Sequence, residues 1–386
     1  MLSSVKHLGV PLAVFVLALA SCGEDDRERS NRDSEVAQGS WEVLPEGPRG
    51  VGRGPVFRLG RELVVVTGGG DETARGAAFD LASETWRRLP DAPLPWRADY
   101  TAIKGGPEVI VWGGSSGARG AEGARYNHRS DSWRPMASSP LDLRAGHTAV
   151  WSGDEMLVWG GETRGICGGP TPTSGAAYDP ATDSWRRLAK APVTGRLHHS
   201  AVWTGDEMLV WGGMRDRDGS CEPRGFFTDG AAYDPRTDGW RRIASAPIGS
   251  RADPDAVWTG AEMLVWNGAR SAAYHPGSDR WRLIPKPPLE PRRDEAVVWT
   301  GRQFIVWGGG DPEGMGHGIQ DGASYDPEAN RWTTLPAAPT SDVLGYHAIW
   351  TKESMFILGP GCCGWEQRTP GGLKYRNGDP PNVKAG

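Results

Sequence analysis

Five arginines occupy matching positions in this sequence, each eleven residues after a tryptophan: Arg97, Arg144, Arg196, Arg251 and Arg292. A guanidinium presents a planar set of donors that can bind a carboxylate through two parallel hydrogen bonds. If the five side chains converge, they predict a binding site for an anionic ligand. The alternative is that each one pairs, within the fold, with a carboxylate or a backbone group of a neighbouring repeat.

Other residue types that often carry chemistry give little signal. No Cys or His spacing suggests zinc, and Asp216-Arg217-Asp218-Gly219 lacks the third acidic position and the terminal Glu of a calcium-binding loop. His147 and His199 occupy one matched position in two similar stretches, which indicates a structural role. No paired acid and base can be identified. The sequence therefore predicts no catalytic residue, metal or cofactor.

The elements that must position these residues are repeats. A Tyr or Phe is followed by a Trp seven residues later in six copies, from Phe79/Trp86 to Tyr325/Trp332. Each Trp, beginning with Trp41, is followed 28 residues later by the end of a Gly-Gly or its remnant. Trp41 has no Tyr before it, and Tyr375 has no Trp after it. A fixed period of this length indicates a repeat architecture.

The pattern resembles the kelch repeat, whose b strand ends in Gly-Gly, whose c strand carries a Tyr and whose d strand carries a Trp. The resemblance implies an all-β fold, a seven-bladed kelch-type propeller of four-stranded blades. Blade 7 would take its a and b strands from Tyr346–Leu358 and its c strand from Leu373–Arg376, but no Trp or apolar strand follows. We expect the N-terminal strand Ser40–Leu44 to supply its d strand, which closes the ring and removes an exposed edge.

All length variation falls between the Gly-Gly and the Tyr, where the seven gaps are 10, 12, 17, 20, 6, 16 and 15 residues. These are the bc loops, and strand alternation places them on the same face as the da loops, here called the bc/da face. Loops of this kind commonly carry function. The five arginines end da loops, near the predicted central mouth. Loop aromatics of this face could stack on a sugar or a peptide, or pack within the loops: Trp96, Trp365, Phe226 and Phe227.

Four cysteines also lie in bc loops. Cys167 and Cys221 belong to neighbouring blades 3 and 4, so a bridge between them is the simplest pairing. Cys362 and Cys363 are adjacent, and Cα atoms about 3.8 Å apart are closer than a disulfide usually joins. A strained vicinal bridge and a pairing across the mouth with blades 3 and 4 both remain open.

The N-terminal segment has the features of an export signal. Lys6 and His7 precede the apolar run Leu8–Ala20, which is too short to span a bilayer and is typical of a secretory signal peptide. Leu19-Ala20-Ser21-Cys22 resembles a bacterial lipobox, which implies cleavage before Cys22 and lipid attachment to its sulfur. An ordinary signal peptide with an incidental Cys is the alternative. Export would place the cysteines in a compartment where disulfides form.

The sequence thus divides into four parts. Residues 24–40 are polar and charged, too poor in apolar groups to fold alone, so we expect a disordered tether. The predicted parts are a lipoprotein signal peptide (1–21), the lipidated Cys and tether (22–40), the propeller (41–376) and a C-terminal tail (377–386). The predicted location is the bacterial cell envelope, at the outer membrane or the cell surface, on a lipid anchor.

Composition and fold leave three hypotheses for function. The formal net charge of −5 does not resemble a basic nucleic-acid footprint, and most of the 19 Trp fall on repeat positions. We expect a binding or interaction module for a protein or an anionic carbohydrate or peptide. An exported sugar-acid enzyme that resembles the sialic-acid mutarotases is the alternative, and a structural envelope protein is a third. The propeller fold by itself does not choose among them.

We predict that Cys22→Ser releases the protein from the membrane fraction, because the substitution removes the sulfur that would carry the lipid. Fractionation of cells that express the full chain measures this outcome. A membrane fraction unchanged by the substitution contradicts the lipoprotein interpretation.

Overall fold

Thirty β-strands, and no helix, form the part of the chain that the structure describes. The computed structural model describes residues 39–48, 54–67, 75–95, 97–115, 122–163, 170–216, 223–312, 318–339, 347–358 and 371–377. Among these residues there is no helix long and apolar enough to cross a membrane.

The strands follow one another blade by blade. Strand β1 (Gly39–Val43) belongs to the last blade. Blade 1 consists of β2 (Val56–Leu59), β3 (Glu62–Thr67), β4 (Arg75–Asp80) and β5 (Thr85–Arg88). Blade 2 consists of β6 (Thr101–Gly105), β7 (Glu108–Trp112), β8 (Gly123–Asn127) and β9 (Ser132–Pro135). Blade 3 consists of β10 (Arg144–Trp151), β11 (Met156–Thr163), β12 (Gly175–Asp179) and β13 (Ser184–Arg187).

The remaining blades repeat this plan, with one insertion. Blade 4 consists of β14 (Ser200–Trp203), β15 (Met208–Trp211), β18 (Gly230–Asp234) and β19 (Gly239–Ile243), and its bc loop contains the hairpin β16 (Met214–Asp216) and β17 (Pro223–Phe226). Blade 5 consists of β20 (Asp255–Trp258), β21 (Met263–Trp266), β22 (Ser271–His275) and β23 (Arg280–Leu283). Blade 6 consists of β24 (Ala296–Trp299), β25 (Phe304–Trp307), β26 (Gly322–Asp326) and β27 (Arg331–Thr334), and blade 7 of β28 (Ala348–Thr351), β29 (Ser354–Leu358), β30 (Gly372–Asn377) and β1.

Each blade is a four-stranded antiparallel sheet, and the seven sheets form a propeller. Neighbouring a strands contact one another, as β6 contacts β10 and β10 contacts β14, so the a strands surround the central axis. Strand β28 of blade 7 contacts both β24 of blade 6 and β2 of blade 1. The predicted all-β, seven-bladed kelch-type fold is confirmed.

The b strands are apolar along their whole length because they are covered on both faces. In β15 and β21, which share the sequence Met-Leu-Val-Trp, every residue is buried. The core consists of layers between neighbouring blades, such as the layer in which Leu157 and Trp159 of blade 3 pack with Met208 and Val210 of blade 4. Continuous apolar strands of this kind fit a sheet enclosed on both sides.

The d-strand Trp links each blade to the one before it. Its indole Nε1 donates a hydrogen bond to the carbonyl four residues after the preceding d-strand Trp, as Trp240 does to Ala189 O at 2.9 Å. The same bond occurs in all seven blades, and the other six donors are Trp41, Trp86, Trp133, Trp185, Trp281 and Trp332. In five seams the indole ring also packs on the b-strand Trp of the preceding blade, as Trp240 does on Trp159. The Trp that recurs in each repeat of the sequence therefore makes the contact between neighbouring blades.

Polar groups also connect neighbouring blades near the cd turns, on the face opposite the bc/da face. The cd-turn residue Asp238 has a left-handed backbone (φ 49°) and accepts hydrogen bonds from Tyr233 Oη at 2.7 Å and from Ala189 N at 2.9 Å in the preceding blade. Arg241 binds Glu207 of its own blade at 2.6 Å and Tyr274 Oη of the next blade at 3.2 Å. In blade 3, Asp183 accepts the equivalent hydrogen bonds, from Tyr178 Oη and from Ala137 N of the preceding blade. These aspartates are turn residues, as their Asp-Pro-x-Thr-Asp contexts indicate.

The ring closes through the N-terminal strand. Strand β1 pairs antiparallel with β30, with Trp41 opposite Tyr375, which is the Tyr–Trp register of the other blades. Trp41 donates to Pro336 O at 2.8 Å and packs on Trp307 of blade 6 at 4.8 Å. The predicted closure is confirmed. Strand β1 begins and ends one residue earlier than the predicted Ser40–Leu44, and β30 extends one residue beyond the predicted Leu373–Arg376 at each end.

We predict that deleting residues 24–38 leaves the thermal stability almost unchanged, because β1 begins after them. Deleting residues 24–46 removes β1 and Trp41 and should lower the melting temperature strongly, since loss of a core Trp side chain alone costs about 3–5 kcal/mol. Differential scanning calorimetry of the two truncations beside the parent chain measures the difference. Equal melting temperatures for the two truncations contradict the closure.

Candidate functional site

Four of the five matched arginines lie inside the fold. Arg97, Arg144, Arg196 and Arg292 are each 3% exposed or less. In each case Nη1 donates to the carbonyl of the first Gly of the Gly-Gly, sixteen residues on, at 2.8–3.2 Å. It also donates to a carbonyl at the end of the bc loop, as Arg196 does to Asp229 O at 2.9 Å. Each guanidinium therefore clasps the two ends of the bc loop of its own blade.

This clasp matches the structural alternative for the arginines, with one difference. The partner belongs to the same blade, whereas the sequence interpretation placed it in a neighbouring one. Burial lowers the pKa of Arg144 to about 10 and lowers the pKa of Arg97 and of Arg196, which is the expected effect of moving a cation out of water. The ligand-binding role of the four arginines stays a prediction.

Arg251 departs from the pattern. Asn267 stands where the other blades have the first Gly of the Gly-Gly, and only six residues separate Gly268 from Tyr274 in the bc loop of blade 5. Arg251 turns instead to the next blade. Its Nη1 donates to Arg292 O at 3.0 Å, and its Nη2 bridges Asp255 Oδ2 at 3.1 Å and Glu295 Oε1 at 2.7 Å.

Arg251 thereby joins two carboxyl groups, Asp255 and Glu295, across the seam between blades 5 and 6. Trp266 Nε1 also donates to Glu295 Oε1. Glu295 Oε2 is buried, and no described residue donates a hydrogen bond to it. About one third of the Asp255 side chain (32%) remains exposed, whereas the Glu295 side chain is fully buried.

The electrostatic environment favours a proton on Asp255. The crowding of its carboxyl group by protein raises the pKa of Asp255 well above its usual range, and the charge of Glu295 raises it further; the nearby Arg251 cation lowers it by less. Two carboxyl groups that share one cation are expected to behave in this way. Protonation of Asp255 is therefore easier than that of an ordinary aspartate.

Elsewhere the same two positions hold a neutral pair. In the seam between blades 2 and 3, Thr101 Oγ1 and His147 Nε2 form a hydrogen bond of 2.8 Å, and Thr148 and His199 form one of 2.7 Å in the next seam. Burial lowers the pKa of His147 to about 3, and that of His199 also falls well below its ordinary value. Both histidines are uncharged, so their predicted structural role agrees with these contacts.

A ring of left-handed residues lies at the central mouth, two positions after each matched arginine. Its described members, here called the mouth ring, are Asp99, Gly146, His198, Asp253 and Asp294, with φ between 50° and 63°. Backbone hydrogen bonds connect four of them from blade to blade: Gly146 N donates to Asp99 O, His198 N to Gly146 O, and Asp253 N to His198 O, at 2.8–3.2 Å. The three Asp side chains of the ring are exposed.

His198 is the titratable member of the mouth ring near neutral pH. Its Nδ1 lies 2.9 Å from Asp253 Oδ1. Burial alone would lower the pKa of His198, but the hydrogen bond to Asp253 and the charges of Asp253, Asp99 and Glu162 raise it above its ordinary value. The exposed part of the mouth is therefore rich in carboxylates, and the arginines that were expected to line it lie beneath.

Comparison with known proteins assigns this chain to a repeat family. The model of the KLHDC2/KLHL20/DRC7 kelch-repeats domain matches residues 99–286 and 146–361 of the chain. The chain belongs to the kelch-repeat family. Among solved structures it is similar to the one titled "Structure of YjhT", with a TM-score of 0.58 and 16% identity over 76% of this chain and 100% of that chain. At that identity the likeness shows the fold alone. No curated protein matches the sequence.

Some predicted site residues fall outside the described part of the kelch propeller. These are Cys22, Cys167, Cys221, Cys362, Cys363, Trp96 and Trp365. Phe226 and Phe227 are described: Phe226 is 45% exposed at the end of β17, and Phe227 lies 4.2 Å from the Arg196 guanidinium. Within the described residues, no group of three or more His, Cys, Asp or Glu side chains could hold a metal ion.

Sequence reasoning missed the carboxyl pair. A signal was present at the third and fourth positions after each matched arginine, where the kelch repeats read His-Thr, His-Ser, Pro-Asp and Glu-Ala in blades 3 to 6. Asp255 and Glu295 come from different repeats and different positions within the repeat. Only the packing of the a strand of one blade against that of the next brings them together.

We predict that Arg196→Ala lowers the free energy of unfolding by on the order of 3 kcal/mol, because it leaves buried carbonyls and the Asp229 carboxylate without their donor. The matched control is Arg236→Ala, since Arg236 is 69% exposed on a cd turn. Urea unfolding of both variants measures the effect. If Arg196→Ala keeps wild-type stability and only weakens binding of an anionic probe, the arginine serves the ligand and not the loop.

Proposed function

We propose that this kelch propeller is a binding and interaction module that engages its ligand or partner on the bc/da face. The observation that carries the proposal is the restriction of length variation to the bc loops. The rest of the repeat keeps its spacing, while these loops range from 6 to 20 residues between the Gly-Gly and the Tyr. Loops that differ on an otherwise uniform scaffold are the usual carriers of specificity.

The described loops add two features to this face. Blade 4 extends its bc loop as the hairpin β16–β17, the one insertion in the described chain that forms a sheet of its own. Phe226 at the end of that hairpin and Leu143 in a da loop are exposed by 45% and 38%. Exposed apolar side chains beside polar loop residues are common at interaction sites.

We also propose that the module is exported and held at the bacterial cell envelope by a lipid on Cys22. The lipobox-like Leu19-Ala20-Ser21-Cys22 and the apolar run before it support this location. The Cys22→Ser fractionation described above tests it.

The sugar-acid enzyme remains the alternative, and turnover separates it from the module. Its sequence support was the set of five arginines. Four of those guanidiniums bind backbone carbonyls of their own blade, which favours the module. Incubation of the full chain with N-acetylneuraminate, followed by NMR of the anomers, tests the enzyme: accelerated interconversion supports it, and saturable binding without turnover supports the module.

We predict that shortening the blade 4 hairpin removes ligand binding and leaves the fold intact. Residues 216–223 would be replaced by Asn-Gly, a two-residue turn that suits a hairpin. The full chain and the variant are screened by calorimetry against N-acetylneuraminate, glucuronate, and acidic and basic tripeptides. We expect the melting temperature to stay close to that of the Cys167→Ser/Cys221→Ser control described below. We also expect the shortened variant to lose affinity for at least one ligand that the parent chain binds.

The control must account for Cys221, which the replacement removes. The double variant Cys167→Ser/Cys221→Ser eliminates the predicted bridge and keeps the hairpin, so it is the correct reference. If the shortened variant binds every ligand of this control with equal affinity, the hairpin is not part of the binding surface.

A further inference from the structure

The carboxyl pair at the seam between blades 5 and 6 is incompletely hydrogen-bonded. Arg251 Nη2 donates hydrogen bonds to both Asp255 Oδ2 and Glu295 Oε1, and Trp266 Nε1 also donates to Glu295 Oε1. Among the described residues, Glu295 Oε2 has no donor and Arg251 Nε has no acceptor, and both atoms are buried. Buried polar atoms without partners are costly, so a proton or a cationic donor that neutralises one carboxyl group would stabilise this cluster.

Asp255 is the open side of the cluster. Its side chain is 32% exposed and belongs to the first residue of β20, an a strand, two residues after Asp253 of the mouth ring. Glu295 lies behind it with no exposed side-chain surface. A group that approaches from the mouth therefore meets Asp255 first.

The carboxyl groups that act on Asp255 are Glu295 and Asp253. Exposed Asp99 and Asp294 occupy positions in blades 2 and 6 equivalent to that of Asp253. The neighbouring cations are Arg251, which the pair already binds, Arg293 beside Asp294, and His198 when it is protonated against Asp253. The buried matched arginines of the other blades donate to carbonyls. Exposed carboxylates gathered at one end of the ring attract positive groups.

We propose that the mouth binds a cationic group, an ammonium or a guanidinium of the kind that a lysine or arginine side chain supplies, with Asp255 as its main contact. The inference rests on the proposed binding role of the bc/da face and names the chemistry of the ligand. A cation with several N–H donors takes the place of the proton on Asp255. It neutralises the pair while Arg251 continues to hold Glu295.

Proton displacement gives the site a measurable signature. Burial and Glu295 raise the pKa of Asp255, so the free site carries a proton over a range of pH in which an ordinary Asp is ionised. The charged groups that face Asp255 are Arg251 and Asp253 from its own loop and Glu295 from blade 6; the adjacent strands β14 and β21 contribute no charged side chain. Below the pKa of Asp255, affinity should fall about tenfold for each pH unit.

The test uses the purified full chain and the tripeptides Ac-Gly-Lys-Gly-NH2 and Ac-Gly-Arg-Gly-NH2. Titration calorimetry in two buffers that differ in ionisation enthalpy measures affinity and proton release together. We expect saturable binding of both peptides with release of up to one proton. The peptide with acetyl-lysine keeps the length and loses the charge, so it should bind at least tenfold more weakly. Putrescine, a free diamine, shows whether the site prefers a peptide side chain to a small amine.

Two variants assign the effect to Asp255. Asp255→Asn removes the charge at constant size, and Asp255→Ser copies Ser200, which holds the equivalent position in blade 4. Both should weaken peptide binding at least tenfold and abolish proton release. The control Asp154→Asn changes an exposed carboxylate in an ab turn, on the opposite face, and should leave both quantities unchanged.

The failures of the two proposals can be told apart. Absence of saturable binding by the Lys and Arg peptides, equal binding of acetyl-lysine, or unchanged binding by both Asp255 variants overturns the cation site. If N-acetylneuraminate or an acidic tripeptide binds instead and Asp255→Asn leaves that binding unaltered, the binding module stands and this inference falls.

Discussion

The hydrogen bond from each d-strand indole to a carbonyl of the preceding blade is the interaction on which the rest of the propeller depends. It occurs once per seam, in all seven seams, at 2.7–3.0 Å. It fixes where the outer strand of one blade lies against the da loop of the one before. The segment between two successive Trp residues can then vary only where no seam contact is made. That condition leaves the bc loop as the place for insertions, and the sequence varies there.

The arginine clasp extends this constraint to the mouth. A loop that leaves the b strand and returns to the c strand must be held at both ends, and Nη1 of one buried guanidinium holds them in blades 2, 3, 4 and 6. The bc loop of blade 5 is the shortest of the seven. Arg251 of this blade instead reaches the next blade, where its guanidinium donates hydrogen bonds to two carboxyl groups. The distinctive chemistry of this seam thus follows from the shortest loop in the ring.

Much of the architecture could be predicted from the sequence because the seam contacts repeat. The spacing of Tyr, Trp and Gly-Gly sufficed for the blade count, and the unpaired Trp41 and Tyr375 sufficed for the closure. The character of the site could not be predicted in the same way. The position of Arg196 in the chain is visible in the sequence, but its burial depends on the path of a loop whose end, Asp229, lies 33 residues away. The pairing of Asp255 with Glu295 depends on packing between two repeats.

The mouth ring shows why chemistry can vary at the centre of so regular a fold. Four of its five described members are connected through backbone N–H and C=O groups, so this arrangement does not require a particular side chain. A left-handed backbone restricts the choice mainly to Gly, Asp, Asn and His, the residues that tolerate positive φ best. Gly146, His198 and the three aspartates all satisfy that restriction. Backbone geometry therefore favours short polar and acidic groups at the opening, while the same fold draws the matched arginines inward to its carbonyls. The resulting separation places carboxylates outside and guanidiniums inside. The opening therefore carries carboxylates, although the sequence shows a matched set of arginines at the ends of the da loops.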